Sequence, residues 1–241
     1  TQLPIPATAE IAIEGEIPPP EVESRTEGRF GEATGYYGEA SMQPVIKVKA
    51  IHHRNDPIIQ GNPPLPRISH VFSVPLITVP NILNELELAG VPDVKGVWNL
   101  EVGGAGGWMT IVSIKQRYGG HAMQAGLVAG GCHGGAYSQK YVVVVDDDID
   151  PTNMKEVLWA IASRTDPITS INFLRDSWST RLEPIIHPDR KAKNDLTTSK
   201  AIIIACKPYH WIDKFPPTNQ VSPELREQVI EKWRKLGIIE W

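Results

Sequence analysis

Residues 141–145 read Tyr141-Val142-Val143-Val144-Val145, an apolar run without alternation that ends in Asp146-Asp147-Asp148-Ile149-Asp150. A strand with one face in water alternates apolar and polar residues, so an uninterrupted run belongs to a strand covered on both faces, as in parallel sheets flanked by helices. The segments around it fit. Residues 122–129 form a short helix candidate of small residues, broken by Gly130-Gly131 and then Gly134-Gly135. Asp150 is placed to cap the next helix with Pro151 in its first position, and Met154, Val157, Leu158 and Ile161 form one stripe. Residues 201–206 read as a strand. A terminal helix follows Ser222-Pro223, with Leu225, Val229, Trp233 and Leu236 facing inward and Gly237 as its stop. Strands alternating with helices predict an α/β domain over residues 118–241 with a mostly parallel sheet.

Residues 1–117 read as β-rich. Residues 10–16 alternate as a strand does, and 45–51 set Val45, Lys47, Lys49 and Ile51 against Ile46, Val48 and Ala50, the pattern of a half-buried strand. Pro18-Pro19-Pro20, Asn62-Pro63-Pro64 and Pro66 mark turns. Residues 80–89 are the helical exception, with Ile82, Leu83, Leu86 and Ala89 at helical spacing and Gly90 placed to end it. Strands are expected over 94–100 and 109–114, joined through Gly103-Gly104-Ala105-Gly106-Gly107. That run does not fit GxGxxG and leads into a strand, so it reads as a flexible turn and not as a dinucleotide loop.

At 241 residues and 41% hydrophobic, the chain can bury a sizeable core. A net charge of −4 gives no basic footprint for nucleic acid or anionic membrane. Two distant cysteines, Cys132 and Cys206, make neither a CxxC site nor a disulfide framework and read as buried thiols in a reducing cytosol. No apolar run reaches the ~20 residues of a membrane span and no signal peptide opens the chain, so a cytoplasmic protein is expected.

The segment with most chemistry is Glu27-Gly28-Arg29-Phe30-Gly31-Glu32, followed by Thr34-Gly35-Tyr36-Tyr37-Gly38. Carboxylates five apart diverge on regular structure, but Gly28 and Gly31 allow a kink that turns both acids to one cavity, with Phe30 excluding water. In such a pocket one acid stays ionised while the other holds a proton. Spacing alone also suits a solvated turn. Asp146, Asp147, Asp148 and Asp150 cluster where α/β sheets place ligands and offer hard oxygens to Mg²⁺, which would serve phosphoryl or hydrolytic chemistry. The competing reading is helix capping and pairing with Arg or Lys. Scattered histidines, among them His52-His53, His121 and His133, lack a metal-ligand spacing.

Several ordered motifs decide between these readings. Residues 6–17 and 27–38, then Ser113-Ile114-Lys115-Gln116-Arg117-Tyr118-Gly119-Gly120-His121-Ala122, residues 145–150, and Trp159-Ala160-Ile161 with Arg164 resemble the UbiD-like decarboxylases, in the same order and over nearly the whole chain. The resemblance implies an α+β protein, a flavin-reductase-like split β-barrel followed by an α/β oligomerisation domain. It implies reversible non-oxidative decarboxylation of an aromatic, heteroaromatic or α,β-unsaturated carboxylic acid with prenylated FMN. By the motif match Glu32 is the proton donor and Glu27 its partner, ion-paired to an arginine expected upstream of this chain's first residue, Thr1. The segment 176–184 resembles the loop bordering the substrate ring, which makes Thr180 and Leu182 pocket residues. Arg29 stands where the family motif usually carries proline. The family also implies a divalent metal (Mn or Mg) and potassium, whose ligands are expected outside this chain; no cofactor-binding residue is assigned here.

Two further expectations follow. A chain lacking that arginine and those ligands would instead be a non-catalytic or partner subunit of a split decarboxylase, with an N-terminal segment or subunit supplying them. Trp211, Phe215, Trp233 and Trp241 crowd the last residues, and with the resemblance they imply a homo-oligomer, dimer or hexamer, contacting through the region after Tyr118.

Overall fold

The computed structural model describes residues 3–59, 61, 73–100 and 107–239. Contacts divide the chain into two compact units, Thr1–Cys206 and Lys207–Trp241. The first is built on a five-stranded sheet of order β5-β6-β7-β9-β8, from β5 (Val94–Asn99), β6 (Met109–Ile114), β7 (Tyr141–Asp146), β8 (Ile171–Trp178) and β9 (Thr197–Ala205). The three central strands β6, β7 and β9 run parallel, and the two edges are antiparallel.

The apolar run lies at the middle of this sheet, and Val142, Val143, Val144 and Val145 are all fully buried. On one face Val142 and Val144 pack with Val112, Ile114 and Ile202 against α1 (Ser73–Leu88) and α2 (His121–Gly131). On the other, Val143 and Val145 pack with Ile111 and Ala205 against α4 (Met154–Arg164). Each fully buried Val contributes about 1.5–3 kcal/mol relative to exposure, an upper figure because unfolded chains already hide some surface. The small residues of α2 let it approach closely: a Cβ on Gly126 would meet Ile202 Cγ2 at 2.5 Å. After α2 comes the single turn α3 (His133–Ala136), and the short α5 (Pro188–Ala192) lies between β8 and β9.

Other expectations shift in detail. The helix expected over 80–89 begins earlier, at Ser73, so Pro80 lies inside it; Ile82 and Leu86 are buried, and Gly90 ends it at φ +74°. Asp150 does not cap α4. Its Oδ1 accepts from Thr152 N and Oγ1 in a local turn, and Asn153 takes the cap by accepting from Lys155 N at 3.2 Å. Along α4, Val157, Ala160 and Arg164 are the buried positions, while Leu158 falls off that face and is exposed. Strand β8 carries no sequence alternation because it is irregular: its register shifts between Leu174 and Ser177, with Asp176 at φ +52°.

The β-rich portion contains two antiparallel ribbons, β1 (Ile11–Glu16) with β4 (Lys47–His53), and β2 (Ser24–Glu27) with β3 (Ser41–Pro44). The alternation of 45–51 does make a strand, but not a half-buried one, since only Ala50 of β4 is partly covered. In the second unit a 3₁₀ segment (Tyr209–Lys214) precedes α6 (Pro223–Lys235), capped by Ser222 Oγ accepting from Leu225 N at 3.2 Å. The stripe expected to face inward does not: α6 has no buried residue, and Leu225 and Trp233 are exposed. Trp241 and Gly103 to Gly106 lie outside the described residues. Among the described residues no helix is long and apolar enough to cross a membrane.

Candidate active site

Both acids sit on the connection between β2 and β3. Glu27 ends β2, opposite Ser41. Gly28 follows at φ +98°, a conformation open to glycine, and turns the chain out of the strand. Residues 30–38 then fold back tightly. Gly31 bridges Tyr37, Glu32 N donates to Tyr36 O at 2.9 Å, Gly35 N to Glu32 O at 2.7 Å, and Gly38 N to Phe30 O at 2.8 Å. A Cβ on Gly38 would come within 3.1 Å of Glu32 Cγ, so this glycine makes room for the Glu32 side chain. Glu32 is half-buried and Glu27 exposed. The kink forms as expected, but Phe30, 59% exposed, does not shield the acids from water.

The loop carrying Glu32 meets the segment flagged for substrate contact. Thr34 Oγ1 donates to Leu182 O at 3.4 Å, across 148 residues of sequence. Thr180 is buried, its Oγ1 accepting from Leu182 N at 3.3 Å, and Leu182 is half-buried. Beside them Glu183 is almost fully buried and accepts from Lys140 Nζ at 2.8 Å. Sequence reading missed this pair, because nothing in the spacing of Lys140 and Glu183 marks them as neighbours.

The aspartate cluster resolves as a structural network. Arg164 Nη1 donates to Asp146 Oδ2 at 3.1 Å and to Asp148 Oδ1 at 2.7 Å, and Nη2 donates to Asp148 Oδ2 at 2.9 Å. Gln116 Nε2 donates to Asp146 Oδ1 at 2.6 Å, and the guanidinium lies 5.0 Å from the Trp159 ring centroid. The motifs 113–122, 145–150, Trp159 and Arg164 therefore converge on one hydrogen-bonded network. Among the described residues no group of three His, Cys, Asp or Glu side chains is arranged to hold a metal, which leaves the Mg²⁺ reading without a ligand set.

Two family models cover most of the chain: the 3-octaprenyl-4-hydroxybenzoate carboxy-lyase Rift-related domain over residues 1–66 and the C-terminal domain of the same carboxy-lyase over 75–205. The chain belongs to the UbiD-like carboxy-lyase family.

Its relatives include a phenolic acid decarboxylase of Bacillus subtilis, 33% identical over 192 residues, covering 78% of this chain and 39% of the relative. An uncharacterized protein of Archaeoglobus fulgidus is 37% identical over 242 residues, 96% of this chain and 47% of that protein. Among solved structures, the UbiD-class enzyme HmfF of Pelotomaculum thermopropionicum, in complex with FMN, matches with a TM-score of 0.74 at 28% identity over 95% of this chain and 48% of its own. The vanillic acid decarboxylase of Sedimentibacter hydroxybenzoicus in open form matches at 0.69 and 27%, over 96% and 47%. This UbiD-like chain thus spans less than half the length of these relatives.

His121 is fully buried, its Nδ1 accepting from Arg117 N at 3.2 Å with the Tyr118 ring 4.7 Å away, and burial pushes its pKa down. His133 is exposed. Cys206 is buried, its Sγ donating to Val144 O at 3.4 Å, and Cys132 is only partly buried, with burial raising the Cys132 pKa. Lys200, unremarked in the sequence, is buried, and its ammonium donates to the carbonyls of Gly130, Gly135 and Ala136 at 2.8, 2.5 and 2.8 Å, closing the ends of α2 and α3. Burial lowers it to about 8.

Proposed function

We propose that this chain carries the proton-delivering part of a prenylated-FMN-dependent carboxy-lyase acting on an aromatic, heteroaromatic or α,β-unsaturated carboxylic acid. The observation that carries the reading is the contact between Thr34 and Leu182, which joins the acid-bearing turn to the segment matching the family's substrate loop.

Losing CO₂ from an sp² carbon leaves an electron pair that no side chain can accept. Bound prenylated FMN supplies the electron sink, as a cofactor must in such chemistry. The chain's own residues have the complementary task. Glu32, half-buried at the head of its turn, delivers a proton to the carbon that lost CO₂. Glu27, at the end of β2, holds the electrostatics of the site with an arginine from another part of the complete protein. Thr180 and Leu182 border the substrate ring.

The residues present fit the reacting end of the cofactor. Phe30, Tyr36 and Tyr37 expose apolar ring surface around Glu32, suited to a planar partner. By the family resemblance we assign the ligands of a divalent metal and of potassium to the remaining length that relatives have. HmfF has been solved with FMN and, in an evolved dimeric form, with prFMN. The apolar stripe of α6, on which Leu225 and Trp233 are exposed and Val229 half-buried, supports association of copies through the C-terminal part.

The test is purification of the complete protein from a host that makes prenylated FMN. Flavin-like absorbance, the mass of the prenylated species and CO₂ release from a panel of aromatic acids are expected together. Activity that tracks added Mg²⁺ without flavin, and is lost in Asp147→Asn, would overturn the reading.

A further inference from the structure

We infer that the Lys140–Glu183 ion pair, buried at its Glu183 end, is a positioning device that fixes the loop 179–184 to the sheet and, through Leu182 and Thr34, sets the Glu32 turn against that loop. The inference rests on the proposed function only where it makes this loop a pocket wall; the mechanical part stands on the geometry.

Glu183 is 1% exposed, and one carboxylate oxygen takes the Lys140 ammonium at 2.8 Å. Its other oxygen, Oε2, is buried with no hydrogen-bond partner among the described residues, as is the hydroxyl of Ser179 at the start of the same loop. Burying a carboxylate costs several kcal/mol unless it is paired and its remaining lone pairs satisfied, and an apolar residue of the same size is often no less stable. This pair is therefore a poor way to add stability. What it supplies is direction, because a single short charged contact holds Glu183 in one place.

Each end of the contact is attached. Lys140 leads into β7; its backbone N–H donates to Trp108 O at 2.9 Å and its carbonyl accepts from Ala201 N at 2.9 Å, which ties it to β9. On the loop, Ser179 N donates to Leu196 O at 3.0 Å and Glu183 N to Thr180 O at 3.1 Å. Leu182, one residue before Glu183, gives its carbonyl to Thr34, two residues after Glu32. A displacement of Glu183 is passed to the Glu32 turn through one peptide and one hydrogen bond.

Amide hydrogen exchange on the full chain tests this in the parent, Glu183→Gln, Lys140→Met and Thr34→Val. Glu183→Gln keeps shape and removes charge, so it stands even if Lys140→Met folds poorly. In both pair variants the amides of Ser179 and Glu183 should exchange about tenfold faster, those of Glu32, Gly35 and Gly38 several-fold faster, and those of β7 within about threefold of the parent, as for a local opening. In a Thr34→Val background, Glu183→Gln should add nothing at residues 32–38. Unchanged exchange in Glu183→Gln, or equal acceleration throughout β7 and β9, would overturn the inference. Where the parent releases CO₂, Glu183→Gln should raise KM about tenfold with kcat within about threefold, the signature of lost positioning. A fall in kcat at unchanged KM would also overturn it. The predicted exchange pattern in a parent that releases no CO₂ from any acid would keep the anchor and reject the decarboxylase reading.

Discussion

Strands β7 and β4 present similar apolar side chains to opposite surroundings. Val142 to Val145 are 0% exposed, while Ile46, just before β4, and Val48 and Ile51 within it are 55%, 51% and 59% exposed. The difference lies in what covers each face. Helices α1 and α2 close one side of β7 and α4 the other, whereas among the described residues β4 pairs only with β1, in a two-stranded ribbon of a kind marginal by itself. Its cross-strand contacts, Lys49 with Glu16 and His52 with Glu14, lie at the solvent-facing surface, where such contacts add little. An apolar pattern thus sets where a strand forms, and packing decides whether that strand carries stability. In this chain the acid-bearing turn meets, at Leu182, the loop that follows β8 of the sheet.

The comparison breaks first at Arg164. Replacing it by Met takes the guanidinium from Asp146, whose carboxylate is buried beside β7, and should cost about 3–5 kcal/mol in denaturant unfolding, the range for half of a buried pair. Next, Ile202→Ala, a core position against α2, should cost about 2–5 kcal/mol, while Val48→Ala on the ribbon should stay within about 0.5 kcal/mol. Equal costs at the two sites would erase the distinction between the regions. A smaller effect follows from His121. Its folded pKa lies below the ordinary 6.5, so as pH falls through 6.5 the unfolded chain takes up a proton that the folded chain does not, and stability declines. The melting temperature should therefore drop between pH 7 and pH 5, and His121→Leu should flatten that part of the slope.

These elements were readable because their signals are local: an unbroken valine run for β7, a glycine after α1, a serine before a proline for α6. The misassigned cap shows the limit, since Asp150 and Asn153 are both good caps and only the Thr152 contact decides which one serves. The inward stripe of α6 and the half-buried face of β4 were misread for one reason: periodicity reports which residues share a face, not what lies opposite. At the candidate site, the glycine-directed turn at Glu32 was legible. The meeting of Thr34 with Leu182 and of Lys140 with Glu183 was not, because those contacts are made by chain topology across long sequence separations.

The central claim is that Glu32 delivers the proton. Glu32→Gln keeps the size and the turn and removes the acid, so decarboxylation by the complete, cofactor-loaded protein should fall about 10²- to 10⁴-fold with flavin binding and melting temperature near those of the parent. Activity within about threefold of the parent would contradict the claim, because that lies far outside the contribution of a general acid.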